Sequence, residues 1–235
     1  MSFPEKDSVA LVTGASGGIG AAVARHLAEA GCHVILTGRQ PASLLALAAS
    51  LGIARTTVVP ADLTDEGDRQ SLARHCADRM DVLVHCAGLF LPGPADAGQN
   101  ATLLEAINVT APMALSSLCL AAVLKARGQI VFVNSTAALN PAGHAHGAYT
   151  ASKRALKIAA DGLRPTLRGR HVRVLNVFPG RTDTAMQQTV LDSEARTGSR
   201  IALLQPDDIA RTILYCLGTP RRFELTDIVI RPENA

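Results

Sequence analysis

Tyrosine occurs twice in this 235-residue chain and lysine four times, yet one of each stands in the short stretch YTASK, as Tyr149 and Lys153. On an α-helix that interval puts both side chains on one face, a turn apart. A free phenol titrates near pH 10 and is a poor base at neutral pH. A nearby ammonium favours the phenolate and is expected to lower that value by roughly 1–3 units. The spacing therefore suits proton transfer to or from an oxygen, although the pair alone also fits an idle surface pair. Ser135 directly follows the apolar run QIVFVN. Its hydroxyl is either a turn former at a strand end or a hydrogen-bonding group for an oxygen on which charge develops.

A second candidate site lies near the N-terminus, where VALVT runs straight into TGASGGIG. Gly14, Gly18 and Gly20 allow a tight turn and close approach of a ligand to the backbone. The helix that begins near Gly18, with Ser16 and Ile19 in the same turn, directs free N–H groups and a positive dipole end at that spot. Between a first strand and a first helix, this arrangement predicts binding of a dinucleotide pyrophosphate.

Both sites need a scaffold, and the pattern of the chain supplies one. Apolar runs recur at 9–13, 33–37, 56–60, 81–85, 129–134, 172–178 and 227–230. They are continuous rather than alternating, as expected of strands buried on both faces of a parallel sheet. Between them lie Ala/Leu-rich segments of helical period, two of which, IGAAVARHLAEAG and ASLLALAASLG, end at glycine. The reading is α/β: one doubly wound domain over 1–235, with a central parallel sheet of about seven strands flanked by helices. Ser135 then falls at the carboxyl end of a strand, the edge where such sheets bind ligands. The polar interval 181–204 follows another strand end and is read as a substrate lid, or else as a plain helical insertion.

Bulk composition narrows the function. The formal charge is +3 and aromatic residues are 3% of the chain. With the arginines scattered, neither a nucleic-acid backbone nor stacked bases are served. Five cysteines, odd in number and never in a CxxC pair, argue against a disulfide framework or zinc site. No metal site is expected; His144 and His146 form an HxH without a third ligand and are read as pocket-lining. The N-terminus is polar and the first apolar run too short for a membrane span, so a cytoplasmic protein is expected.

These motifs together resemble the short-chain dehydrogenase/reductase family in its single-domain form of roughly 250 residues. TGASGGIG matches the family's glycine turn, and Asp62-Leu63 the pair that contacts adenine. Ala87-Gly88 matches the end of its Asn-Asn-Ala-Gly motif. Ser135, Tyr149 and Lys153 match the catalytic trio and Asn108 its usual fourth member. Pro179, Gly180, Thr182 and Thr184 match the segment that holds the nicotinamide carboxamide. The resemblance implies that Tyr149 and Lys153 also meet the cofactor, that Lys153 bonds the nicotinamide ribose, and that Asn108 holds a water in a proton relay. His85 and Cys86 stand where relatives carry two asparagines, which puts local sheet bracing in question; His85 is read as a core histidine or as a contact near the cofactor.

The reaction implied is hydride transfer between a nicotinamide and a carbonyl or secondary alcohol. A non-catalytic dinucleotide-binding sensor or scaffold is the alternative. After the second strand, Thr37-Gly38-Arg39 offers no carboxylate for a ribose 2′-hydroxyl and a guanidinium for a 2′-phosphate. NADP(H) is therefore expected in preference to NAD(H), with NAD(H) possible. The apolar segment ALSSLCLAAVL at 114–124, together with the family's habit, predicts a homotetramer or homodimer.

Overall fold

The computed structural model describes residues 7–76, 78–93, 98–140, 147–194 and 203–233. Seven strands form one parallel sheet: β1 Val9–Thr13, β2 His33–Gly38, β3 Thr56–Pro60, β4 Val82–His85, β5 Gln129–Val133, β6 Arg173–Pro179 and β7 Asp227–Ile230, in the order 3-2-1-4-5-6-7. Strand order reverses between β1 and β4, which opens a crevice at their carboxyl ends.

Helices cover both faces. On one side α1 (Gly18–Glu29), α2 (Pro41–Leu51) and α8 (Pro206–Leu217) bury Val23, Leu27, Leu44 and Ile213 against Val12, Val34 and Val84. On the other, α3 (Glu66–Arg74), α5 (Ala111–Ala126) and α6 (Gly147–Leu167) bury Leu72, Leu115 and Leu156 against Leu11, Leu83 and Phe132. The β-branched runs form strands because each residue meets packing on one face or the other. Helix ends follow local chemistry. Gly31 and Gly52, with φ of 98° and 91°, leave α1 and α2 in conformations that disfavour any side chain. Asp65 caps α3 by accepting from Asp68 N at 2.8 Å.

Two strands depart from the expectation of double-sided burial: in β3, Thr57 and Val58 are half-buried and Pro60 is exposed. Strand β7 alternates between exposed and half-buried positions, and Val229 is 47% exposed. Both are edges of the sheet, each with a neighbour on one side only.

Helix α4 (Gln99–Glu105) runs through a π-helical turn, Ala106–Thr110, into α5. The combined rod Gln99–Ala126 is long and apolar enough to cross a membrane by length and composition. Here one face of it is core, through Leu115, Cys119 and Val123, while Leu103 and Leu118 face outward. The interval read as a lid contains helix α7 (Ala185–Ser193), capped by the Thr184 hydroxyl, which accepts from Gln187 N. Its two ends are pinned together, since Asp183 N donates to Leu204 O and Leu204 N to Arg181 O. Residues 195–202 of that interval lie outside the described residues, as do His144 and His146.

Candidate active site

The glycine turn is shaped by close backbone approach. A side chain at Gly14, where φ is 66°, would sit 2.8 Å from Ala87 N, and one at Gly20 would sit 2.2 Å from Gly14 O. Thr13 ties the same two strand ends together by accepting from Ala87 N at 3.1 Å. One at Gly18 (φ 52°) would sit 3.1 Å from the Thr184 methyl, so the turn faces the start of α7. Gly14, Ser16, Gly18, Ile19 and Gly20 thus share one rim of the crevice with Ala87, Gly88 and Thr184. This cradle of bare backbone at a helix N-terminus fits a dinucleotide.

Ser135, Tyr149 and Lys153 meet as the sequence requires. Ser135 leaves β5, accepts a hydrogen bond from Ala137 N at 3.1 Å, and is hydrogen-bonded to the Tyr149 hydroxyl. Helix α6 sets Lys153 one turn beyond Tyr149, with Nζ 5.9 Å from the ring centre. Lys153 is buried and donates to Val133 O at 3.4 Å. Phe90 packs its ring edge-to-face on Tyr149 at 5.2 Å.

Burial pushes the Tyr149 phenol up, and its hydrogen bond with Ser135 pulls it down. That net direction is opposite to the lowering expected from the Lys153 spacing. Desolvation of the phenolate is the larger effect, and the ammonium is directed at a carbonyl rather than at the hydroxyl. Burial also pushes Lys153 down to about 8.

Asn108 joins this group from the π-helical turn, a distortion frequent at functional positions. Its Oδ1 accepts from Leu89 N at 2.8 Å, while Nδ2 donates to Leu89 O at 2.9 Å and to Ser152 Oγ at 3.0 Å. Ser152 Oγ in turn donates to Tyr149 O. Asn108 therefore braces the loop after β4 against the helix that carries Tyr149 and Lys153. Ser152, invisible to motif reading, is the link.

These groups border a cleft of about 510 Å³. Ser135, Tyr149, Ile19, Pro179, Gly180, Thr182 and Thr184 line it, as do Phe90, Ala137 and Leu139. Sequence reading missed Asn134, Thr150 and Arg231, and it placed Arg181, Gln187 and Glu194 only within a lid. Asn134 is buried with both amide atoms unpartnered. No periodicity marks such residues, because the strand ends bring them together from distant segments.

After β3, Asp62 is exposed and accepts from both the backbone and the hydroxyl of Thr64, and these bonds lower its pKa. Arg39, also exposed, adds to that lowering. Leu63 instead packs into the core. A side chain at Gly38 would approach Ser16 Oγ at 3.3 Å, so Ser16 stands against the residue that precedes Arg39. His85 is a core histidine. It stacks on Phe132 at 4.9 Å, is hydrogen-bonded to Ser116 at 2.8 Å, and is held neutral by burial, with a pKa pushed down to about 3. This pairing does the local bracing. Among the described residues no cluster of histidine, cysteine or acidic groups is arranged to hold a metal, and the five cysteines are free thiols.

The sequence model of the short chain dehydrogenase family matches residues 8–195. The chain belongs to the short-chain dehydrogenase/reductase family. It is similar to dehydrogenase/reductase SDR family member 11 of Bos taurus, at 33% identity over 97% of this chain and 96% of the relative. It is also similar to serine 3-dehydrogenase of Agrobacterium fabrum, at 32% identity over 95% and 93%. Among solved structures it resembles a metagenomic short-chain oxidoreductase in complex with NADP, at 30% identity, TM-score 0.81 and 97% coverage of each chain. As a short-chain dehydrogenase/reductase, the protein is an NAD(P)-dependent oxidoreductase acting on small molecules.

Proposed function

We propose that this chain is an NADP(H)-dependent oxidoreductase interconverting a carbonyl and a secondary alcohol through Ser135, Tyr149 and Lys153. The observation that carries the reading is the hydrogen-bonded pair of Ser135 and Tyr149 hydroxyls on the cleft wall, with the Lys153 ammonium behind the phenol.

In this mechanism the Ser135 hydroxyl holds the substrate oxygen. Tyr149 gives its proton to that oxygen as it becomes an alkoxide, and takes it back in the reverse direction. NADP(H), when bound, supplies or accepts the hydride, and its oxidised ring favours the phenolate. The glycine turn, Ala87, Gly88, Pro179, Gly180, Thr182 and Thr184 would hold it, with Lys153 on its ribose. Asn108 fixes the register of α6, and its Oδ1 retains a lone pair for a relay water. Arg39, exposed directly after Gly38 at the end of β2, supports selection of a 2′-phosphate.

The reading extends to assembly and location. Leu103 and Leu118 on the α4–α5 rod and Ile158 on α6 stand exposed at 43%, 44% and 72%, apolar surface that supports a homodimer or homotetramer. Five free thiols suit a reducing cytoplasm. NADPH consumption against a panel of ketones, keto-sugars, oxo acids and acyl thioesters tests the activity. Turnover of at least one class is expected, and silence across the panel with intact NADPH binding would favour a non-catalytic role.

A further inference from the structure

Helix α7 gives the cleft a polar wall that proton transfer does not require. Arg181 and Glu194 both line the cleft. Their ion pair places Nη2 at 2.9 and 2.8 Å from the two carboxylate oxygens, with side chains only 30% and 21% exposed. A pair so sheltered adds little net stability, because desolvation offsets the attraction. Both contacts also use a single nitrogen. The other, Nη1, is buried and has no hydrogen-bond partner among the described residues. Gln187, in the first turn of α7, is 8% exposed, lines the same cleft, and its Nε2 is likewise without a partner.

Buried N–H groups are nearly always satisfied in folded proteins. Asn134 and Thr150, on the same cleft, also hold unsatisfied donors, but only at Arg181 and Gln187 is one of them charged, and that pair points to an acceptor that arrives with a ligand. Among the described residues, the charged ones lining the cleft are Arg181, Arg231 and Glu194, an excess of one positive charge. Such a wall favours an acceptor that is itself negative.

We propose that Arg181 and Gln187 form a subsite for a carboxylate carried by the substrate, away from the carbonyl that is reduced. Glu194 holds the guanidinium through Nη2, so that Nη1 is presented to the ligand. Arg181 offers the charge and Gln187 a neutral donor, and neither takes part in proton transfer. The proposal rests on the reductase reading for the chemistry of this cleft, while the anion subsite itself is a matter of binding.

The test uses straight-chain oxo acids of about four to eight carbons, each beside its methyl ester. Titrating them calorimetrically into the NADP⁺-loaded protein reads binding alone, since an oxidised cofactor cannot reduce a ketone. At least one acid should bind about ten- to a hundredfold more tightly than its ester, the range of one charge-assisted contact. Arg181→Met should bring the two within about twofold, and Glu194→Gln, which removes the competing charge, should widen the gap. The second variant decides the matter if the first fails to fold. Equal binding of acid and ester, or a gap that Glu194→Gln narrows, would overturn the subsite. Parallel assays of NADPH oxidation separate the two claims. Ketones and esters turned over with no acid preference would sink the subsite alone, while acid-selective binding without reduction of any carbonyl would sink the reductase reading alone.

Discussion

The Lys153 ammonium lies 5.9 Å from the centre of the Tyr149 ring and spends its hydrogen bond on Val133 O at 3.4 Å. Both residues are enclosed, and burial disfavours the charged form of each. It raises the phenol and lowers the amine to about 8, against an ordinary lysine value of 10.5. Ser135 is the neighbour that eases ionisation of Tyr149 in the free protein.

A buried lysine weakens the fold in a defined pH window. Between about 8 and 10.5 the unfolded chain holds the Lys153 proton while the folded chain releases it. Stability from this group therefore rises with pH across that window, and below it the full cost stands, at most about 3 kcal/mol. Lys153→Met should abolish turnover yet unfold at higher urea at pH 7, with the gain shrinking toward pH 10. Urea titrations at the two pH values check this, and a less stable variant at pH 7 would speak against it.

His85 produces a slope of the same sign at lower pH. Its folded pKa of about 3 lies below the ordinary 6.5, so protons favour the unfolded chain as pH falls between those values. Each unit below 6.5 removes about 1.4 kcal/mol from this group's share. His85→Asn should show a shallower acid limb in a plot of melting temperature against pH. An unchanged limb would mean that another group governs acid unfolding.

Arg39 is expected to set cofactor preference. One charge-assisted contact with a 2′-phosphate, roughly 1.5–3 kcal/mol, favours NADPH over NADH about ten- to a hundredfold in kcat/KM. Arg39→Ala should erase most of that ratio by weakening NADPH alone. Equal efficiency of the two cofactors in the unmodified protein contradicts the assignment.

The outer face of the α4–α5 rod should be covered in solution. Light scattering at micromolar concentration is expected to show a dimer or tetramer, and Leu118→Glu should shift it toward monomer by placing a charge in the contact. A monomeric unmodified protein rejects the proposal.

The seven strands were legible in the sequence because each is a short run of β-branched residues closed by a turn or helix signal. Observed ends differ from the apolar runs by a residue or two, as between Asp81 and Val82 at the start of β4. The positions of Ser135, Tyr149 and Lys153 were legible for the same reason, since strand end and helical spacing place them without knowledge of distant contacts. What burial does to charge was not. The rise of the Tyr149 phenol and the neutrality of His85 depend on how completely the fold excludes water, and spacing carries no information about that. Nor did any pattern announce the Arg181–Glu194 pair, whose partners stand thirteen residues apart across a helix. The π-helical turn that turns Asn108 inward leaves no mark in an otherwise continuous apolar helix.

Tyr149→Phe tests most directly whether the Tyr149 hydroxyl is the proton donor. The substitution keeps the ring that packs on Phe90 and removes only the hydroxyl bonded to Ser135. With a carbonyl substrate of the unmodified protein and saturating NADPH, single-turnover oxidation of the cofactor should fall to a trace, while NADPH affinity stays within a few-fold. A variant that oxidises NADPH at most of the original rate would show that the proton comes from another group.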